Sequence, residues 1–331
     1  MHRIWQAASA SLALLLASCN SLPTWDNLIV GAPKSGWKIP DGFRIVGYFP
    51  SWSGDPGSVR YEALTHVNYA FGLVTAQGTY APVDAPDKLR AVVQKAHAQG
   101  TKVLLSVAGL DDGSTRALDT VAADPALLET LTVTTEALLD QYQLDGIDID
   151  WEFPDASTTD HYKALVITLA ADLHAHGRLL TLAVSADRGA WVSDDAWQAA
   201  DWLNIMAYDD GWHRDGVAHS TYGFTRDQLD YWLKRGVPAS KAVLGVPFYG
   251  RSLVTWRPKS YSALLREFPE ASDSDTAGGY AYTGPDSMRA KVVNLARFRA
   301  GGVMVWQLNQ DARGPASLLL LIYDTVKEPV E

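Results

Sequence analysis

The residues best suited to chemistry lie in one short stretch, DGIDIDWE, at positions 145–152. It places Asp145, Asp148, Asp150 and Glu152 close together, separated only by glycine and apolar residues. Carboxylates repel one another and lose hydration when they are buried, so crowding raises the pKa of one or more of them. A carboxylic acid that stays protonated at neutral pH can act as a general acid, which is what glycoside hydrolysis requires.

Alternation along a strand divides this stretch into two faces. Asp148, Asp150 and Glu152 share one parity, and the apolar residues between them share the other. Same-face residues lie about 6.6 Å apart along a strand, a gap that long side chains can close to hydrogen-bonding distance. A barrel strand with an acidic interior face and an apolar outer face fits this pattern. A wet edge strand or a Ca²⁺ or Mg²⁺ site is less favoured, because the flanking strands are apolar and no histidine supports the cluster.

The elements that must position these acids alternate regularly along the chain. Apolar segments rich in Val, Ile and Leu predict strands buried on both faces, at 44–49, 66–72, 102–108, 144–150, 179–184, 202–208, 242–248 and 302–308. Helical patterns separate them, so residues 43–331 are predicted to form an α/β fold, a (β/α)8 TIM barrel with its active site at the carboxyl ends of the strands. A doubly wound open sheet is the alternative, but no GxGxxG follows the first strand.

One connection is longer than the others. Residues 251–285, between the seventh and eighth strands, include a helix-like YSALLREF and the segment GGYAYTG. We expect a small insertion beside the barrel mouth and not a second domain.

The N-terminal segment has the features of an export signal. Residues 1–18 combine an early positive charge with an apolar run too short to span a bilayer, which predicts a signal peptide. Cys19 is the only cysteine, so no internal disulfide can form, and LASC resembles a bacterial lipobox. Residues 19–42 then form a lipidated N-terminus and tether. We expect a lipid anchor in the bacterial cell envelope, on the outer membrane or the periplasmic face; an ordinary signal peptide is the alternative.

Charge and aromatic content narrow the class of partner. A net charge of −10 without a run of Lys and Arg disfavours nucleic acid. The 12 tryptophans exceed what a core of this size usually needs, which indicates an aromatic binding surface. Those that follow predicted strands are candidate platforms at the barrel rim: Trp52, Trp191 and Trp212. Those within predicted helices or at a strand entry are expected in the core: Trp197, Trp202 and Trp232.

These motifs together resemble glycoside hydrolase family 18, the chitinases and their relatives. DGIDIDWE matches the family's DxxDxDxE signature, NIMAYDD its M-x-Y-D, and LGVPFYGR its G-x-P-x-Y-G-R, while VMVWQL carries its strand-end tryptophan. SVAG at the third strand departs from the family's S-x-G-G, because Ala108 replaces a glycine. Ser106, which supports the inner aspartate in the family, is retained, so we expect a small packing shift and not a loss of activity.

The resemblance implies substrate-assisted, retaining hydrolysis of β-1,4 bonds in N-acetylglucosamine polymers, without a cofactor or metal. Glu152 would protonate the glycosidic oxygen, and the substrate's 2-acetamido oxygen would attack the anomeric carbon to give an oxazolinium ion. Asp150 would stabilise that cation while sharing a proton with Asp148, and Tyr208 would hydrogen-bond the acetamido oxygen. Further substrate contacts are expected from Trp306, Met206, Asp209, Tyr48, Tyr249 and Arg251.

Several interpretations remain open. Asp145 is predicted to be structural, since its side chain has no certain place on the acidic face. The small insertion favours an open cleft and endo action on chitin. An endo-β-N-acetylglucosaminidase acting on N-glycans or peptidoglycan fragments shares the same signature. A non-catalytic chitinase-like lectin is disfavoured, because the acid Glu152 is present.

Overall fold

The computed structural model describes residues 42–109, 113–211 and 216–327. The strands of this part of the chain are β1 (Arg44–Pro50), β2 (His66–Gly72), β3 (Lys102–Gly109), β4 (Gly146–Trp151), β5 (Leu179–Val184), β6 (Trp202–Ile205), β7 (Ala242–Pro247), β8 (Tyr249–Ser252), β9 (Pro258–Ser260), β10 (Thr276–Ala277), β11 (Tyr280–Ala281) and β12 (Gly302–Trp306). Eight of them close into a parallel barrel in the order β1-β12-β7-β6-β5-β4-β3-β2. The predicted TIM barrel is therefore confirmed.

Helices surround the barrel. They are α1 (Pro86–His97), α2 (Ser114–Ala123), α3 (Pro125–Tyr142), α4 (Thr159–Ala175), α5 (Asp194–Ala199), α6 (Tyr222–Lys234), α7 (Tyr261–Glu267), α8 (Pro285–Arg297) and α9 (Leu318–Lys327). The main apolar core lies between strands and helices, and a smaller cluster that includes Tyr48, Trp202 and Met304 fills the barrel interior. Trp197, Trp202 and Trp232 are buried, as expected. No helix among the described residues is long and apolar enough to cross a membrane.

Several strands end earlier than their apolar patterns suggest. The sixth was predicted over 202–208, but β6 ends at Ile205. Asp209, four residues further on, has φ 61°, a left-handed conformation that interrupts extended backbone. The eighth was predicted over 302–308, but β12 ends at Trp306, which is followed by a cis peptide bond to Gln307. The polar residues at these strand ends therefore lie on loops at the barrel mouth.

The long connection after the seventh barrel strand forms a small sheet with one short helix. Its strands pair antiparallel in the order β10-β11-β8-β9, and α7 follows β9. Since β8 begins at Tyr249, this sheet starts two residues before the predicted insertion and continues directly from β7. Arg251 on β8 thereby reaches the barrel mouth.

The predictions for the N-terminal segment concern residues that the structure leaves undescribed. The signal peptide at 1–18, the lipidated Cys19 and nearly all of the tether at 19–42 lie outside the described residues, as does the candidate platform Trp212.

Candidate active site

Strand β4 has the two faces that its sequence predicts. Ile147, Ile149 and Trp151 belong to the core between barrel and helices, and the Trp151 ring meets Tyr162 of α4 edge-on at 5.7 Å. Asp148 faces the barrel interior and is fully buried. Because the apolar face of β4 packs in the core between barrel and helices, the acidic side chains of β4 are directed into the barrel interior.

Asp148 is held by four donors from four other strands. Tyr48 Oη and Ser106 Oγ donate to Oδ2 over 2.6 and 2.8 Å. Thr181 Oγ1 and Asn204 Nδ2 donate to Oδ1 over 2.5 and 2.9 Å. Burial raises the pKa of Asp148, and these hydrogen bonds oppose that rise. With two donors at each oxygen, the carboxylate form is well matched to its surroundings.

Asp150 has the opposite environment. It is only 4% exposed, and its Oδ1 accepts no hydrogen bond from the described residues. Burial raises its pKa well above the ordinary value, and the neighbouring charges of Glu152 and Asp148 raise it further. The oxygens of Asp148 are already occupied by donors, whereas Asp150 Oδ1 has none among the described residues, so this arrangement favours Asp150 as the carrier of a shared proton.

Glu152 lies just beyond β4, at the cavity. Burial raises its pKa to about 7, with a further contribution from the charge of Asp209. Its carboxyl group lines the cavity wall. Glu152 therefore combines a proton available near neutral pH with a carboxyl group free to contact a ligand.

A cavity of about 270 Å³ brings the predicted site residues together. It lies at the carboxyl ends of the barrel strands. The predicted residues on its wall are Asp150, Glu152, Tyr48, Met206, Tyr208, Asp209, Tyr249, Arg251 and Trp306. Of the predicted site residues in the described part of the chain, Asp148 alone is not on this wall. Tyr48, which is on the wall, donates a hydrogen bond to Asp148. Ala183, Pro258 and Gln310 line the cavity as well, without having been predicted.

Asp209 is fixed in a charged pair on one wall. Arg251 donates from Nε to Oδ1 over 2.8 Å and from Nη2 to Oδ2 over 2.6 Å, a bidentate arrangement. The fully buried His219 places Nδ1 3.2 Å from Oδ1. Burial alone would raise the pKa of Asp209, but hydrogen bonds from His219 and Arg251 bring it down to about 2. Asp209 is thus a fixed negative charge near Glu152.

Tyr208 remains a hydrogen-bond donor over the working pH range. Burial raises its pKa well above the ordinary value, and the charges of Tyr249 and Asp150 add to this. Its ring lies so close to β7 that a Cβ on Gly245 would come within 2.9 Å of it. The glycine in LGVPFYGR is therefore needed to admit this ring to the site.

Aromatic rings form a row that leads out of the cavity. Trp306 meets Tyr48 edge-on at 5.3 Å and stacks with Phe71 at 5.9 Å. Phe71 in turn stacks with Trp52 at 5.8 Å, and Trp52 is 56% exposed. Trp52 is therefore placed as a rim platform would be, whereas the partly buried Trp191 ends a 3₁₀ segment after β5.

Besides Ala183, Pro258 and Gln310 on the cavity wall, sequence reasoning missed four residues that support or extend this site. Thr181 and Asn204, which bind Asp148, interrupt the apolar segments LLTLAV and WLNI, and an inward polar residue in such a strand was the available signal. Phe71 lies in YAFG, which resembles the family's second strand. His219 had no signal, because its pairing with Asp209 depends on how the loop after β6 folds.

Two residues singled out in the sequence, Asp145 and Ala108, have surroundings that indicate a structural role. Asp145 accepts hydrogen bonds from the Val103 amide over 2.7 Å and from His97 Nε2 at 2.9 Å, which agrees with its predicted structural role. Ala108 is fully buried on β3, in register with Asp150 on β4. Its methyl group therefore adjoins Asp150.

One group of side chains outside the cavity has the residue types of a metal site. Glu136, Asp172 and His176 lie together on α3 and at the end of α4. Arg178 donates to Glu136 Oε2 over 2.6 Å and already neutralises that carboxylate. This group is on the amino-terminal side of the barrel, so it has no part in the chemistry at the cavity.

The parallel barrel, the buried acidic strand and the acid at its carboxyl end define a barrel glycosidase. Residues 44–311 match the family model described as glycosyl hydrolases family 18. Because this match covers most of the chain, the protein belongs to glycosyl hydrolase family 18 and is a chitinase-like glycosidase.

Similar proteins agree with this assignment. The crystal structure of the chitinase ChiB of Flavobacterium johnsoniae is 27% identical, with a TM-score of 0.80, over 87% of this chain and 94% of that one. Chitinase 1 of Aphanocladium album is 26% identical over 94% of this chain and 91% of its own length. Probable chitinase 10 of Drosophila melanogaster is 24% identical over 87% of this chain, which spans only 16% of that longer protein.

Proposed function

We propose that this glycosidase hydrolyses β-1,4 bonds of chitin and chitooligosaccharides by retaining, substrate-assisted catalysis. The single observation that carries the mechanism is the state of the three acids around the cavity. The pKa of Glu152 is about 7, burial and the neighbouring acids raise the pKa of Asp150 well above its ordinary value, and Asp209 is bound by Arg251. The raised pKa disfavours an ionised Asp150, and Asp209 is paired with Arg251, so neither aspartate suits the role of nucleophile. The nucleophile that we propose is the 2-acetamido group of the substrate.

In the first step, Glu152 donates its proton to the glycosidic oxygen, and the bond from that oxygen to the anomeric carbon breaks. The acetamido oxygen forms the new bond to the anomeric carbon, which gives an oxazolinium ion. Tyr208 donates a hydrogen bond to the acetamido oxygen, and Asp150 accepts one from the acetamido N–H. The developing positive charge lies close to the buried carboxylate Asp148, which favours it electrostatically.

In the second step, the ionised Glu152 accepts a proton from water as the water oxygen attacks the anomeric carbon. The oxazolinium ring opens and the acetamido group is restored. Two inversions at the same carbon leave the configuration unchanged, and Glu152 ends the cycle protonated.

The aromatic row supports a polymeric substrate. Trp306 would lie beneath the reacting sugar, and Phe71 and Trp52 continue the apolar surface for several ångströms beyond it. A chain of linked pyranose rings presents C–H faces at successive positions, which suits such a row. From the small size of the insertion we propose an open cleft and endo action, with mixed oligosaccharides as the first products from long chitin.

The decisive experiment compares the parent with Glu152→Gln on chitooligosaccharides, an N-glycan and peptidoglycan fragments side by side. The exposed Glu129→Gln is the matched control, because it makes the same change on the surface of α3. We expect hydrolysis of chitooligosaccharides by the parent and by the control, and retained binding without hydrolysis by Glu152→Gln. NMR of the first product should show the β-anomer.

Each other result points elsewhere. If the parent cleaves N-glycan or peptidoglycan fragments in preference to chitooligosaccharides, that glycan and not chitin is the substrate. No turnover of any N-acetylglucosamine glycan by the parent, with binding intact, would identify a lectin. Equal cleavage of an oligosaccharide without 2-acetamido groups would refute substrate assistance, and disaccharide alone from the first seconds would refute the open cleft.

We also propose that the chain is anchored by lipid on Cys19 in the bacterial cell envelope. The support is the sequence alone, since a lipobox-like LASC ends the apolar segment at the sole cysteine. In a bacterial host, the parent should incorporate labelled fatty acid and sediment with membranes, and Cys19→Ala should do neither. Equal labelling of both chains would refute the proposal.

A further inference from the structure

Helix α8 carries a lysine that points into the protein. Lys291 is only 2% exposed, although lysine is almost never fully buried without a charged partner. Its hydrogen-bond acceptors among the described residues are all neutral oxygens, and the charge of Asp275 raises its pKa but offsets the effect of burial only in part. Burial lowers the pKa of Lys291 to about 7. So expensive a placement needs a compensating set of contacts.

Those contacts join α8 to two other segments. Lys291 Nζ donates to the Ser220 carbonyl over 2.8 Å, to Ser220 Oγ over 2.9 Å and to Thr283 Oγ1 over 3.2 Å. Three acceptors match the three N–H groups of an ammonium. Lys291 therefore holds the loop after β6 and the end of the small sheet against α8.

The two segments carry the two partners of Asp209. Ser220 directly follows His219, which binds Asp209 Oδ1. Thr283 follows β11, whose Ala281 pairs with Arg251 on β8, and Arg251 holds both oxygens of Asp209. Lys291 thus joins the two pieces of backbone whose side chains fix this carboxylate.

We propose that Lys291 is a positioning residue for the hydrolytic reaction, and that it acts by holding the segments of His219 and Arg251 so that Asp209 stays beside Glu152. The inference rests on the proposed function, because the acid it tunes is the proposed proton donor. The charged and titratable groups that share the cavity with Glu152 are Asp150, Asp209, Arg251, Tyr48, Tyr208 and Tyr249. Among them, Asp209 is the charge that raises the pKa of Glu152, and Arg251 is already paired with Asp209. Loosening Asp209 therefore weakens the repulsion that favours the protonated acid.

The test is Lys291→Met, which keeps the side-chain length and removes the donors. Lys95→Met on α1 is the matched control, because Lys95 is exposed. We expect kcat/KM for chitooligosaccharides to fall about tenfold through kcat, with KM little changed. The basic limb of the pH profile should move to lower pH by about half a unit. Thr283→Val removes one of the three acceptors and keeps the lysine. It should also move the basic limb of the pH profile to lower pH, by less than Lys291→Met does.

A second readout does not depend on activity. Carboxyl ¹³C NMR of glutamate-labelled protein, with the signal assigned by Glu152→Gln, gives the pKa of Glu152 in the parent and in each variant. The inference holds if this pKa falls in Lys291→Met and in Thr283→Val and stays unchanged in Lys95→Met. It is wrong if the pKa and the basic limb match the parent while activity falls, since the lysine would then be structural only.

The outcomes separate the two claims. If Lys291→Met does not fold, Thr283→Val decides by the same titration. If the parent hydrolyses none of the glycans, the proposed function fails, and the NMR titration still tests whether Lys291 controls the position of Asp209.

Discussion

Replacing Thr181 by valine tests how Asp148 is held. The change keeps the side-chain volume nearly constant and removes the donor that lies 2.5 Å from Asp148 Oδ1. Thr181 is fully buried, and the new methyl group occupies the space of the hydroxyl. A hydrogen bond to a charged group contributes about 1.5–3 kcal/mol, and one to a neutral group about 0.5–1.5 kcal/mol. The loss of stability should therefore depend on the charge of Asp148.

The direction in which folding stability changes with pH follows from the shift in the pKa of Asp148 between the folded and unfolded states. Burial raises the pKa of Asp148, so the folded protein binds this proton more tightly than the unfolded chain. Stability consequently falls as pH rises from the unfolded pKa, about 3.9, through the folded one. Removing a donor raises the folded pKa of Asp148 further, so the fall in stability continues to higher pH and becomes larger in total. We expect Thr181→Val to lose about 1.5–3 kcal/mol at pH 8 and about 0.5–1.5 kcal/mol near pH 4.

Urea unfolding at both pH values measures the difference. Thr101→Val is the matched control: Thr101 is equally buried, but its Oγ1 donates to the backbone carbonyls of Tyr61 and Leu64 over 2.8 and 3.0 Å. Carbonyls do not titrate, so its loss should be the same at pH 4 and pH 8. An equal loss at both pH values for Thr181→Val would refute the view that Asp148 is an ionised acceptor.

The remaining predictions concern activity and packing. Glu152 must be protonated to donate, and its pKa is about 7, so kcat/KM should fall as pH rises through about 7. A pH profile of kcat/KM that still rises at pH 9 would contradict the assignment of Glu152 as the general acid. Trp52→Ala should lower kcat/KM about fivefold for a hexasaccharide, a loss of about 1 kcal/mol, and leave a trisaccharide unchanged; equal losses would exclude a remote platform. Ala108→Gly should cost about 0.5–1 kcal/mol in thermal unfolding, because glycine loses more backbone entropy in a strand than alanine; an equal or higher stability would contradict this.

The sequence predicts the barrel because each strand is buried on both faces and each helix has clear ends. The register of β4 follows from parity alone, since Ile149 and Trp151 require hydrocarbon and thereby direct Asp150 inward. Spacing within one strand is local information. It was sufficient to identify the acid at the strand end, Glu152.

What the sequence could not predict depends on contacts across the barrel. Thr181 and Asn204 reach Asp148 only because β5 and β6 follow β4 around the closed sheet. His219 reaches Asp209 through a loop, and the role of Lys291 needs three segments in place. Such contacts are separated by up to 71 residues in the chain, and no periodicity encodes them.

The separation of Asp148 from Glu152 by two steps along one strand face has an evolutionary consequence. Asp148 connects β4 to β1, β3, β5 and β6, so its loss would disturb the barrel itself. Among the described residues, no such set of donors holds Glu152. A descendant selected to hold sugar without cutting it could change one codon at Glu152 and keep the whole cleft, whereas Asp148 would remain a constraint on every such descendant.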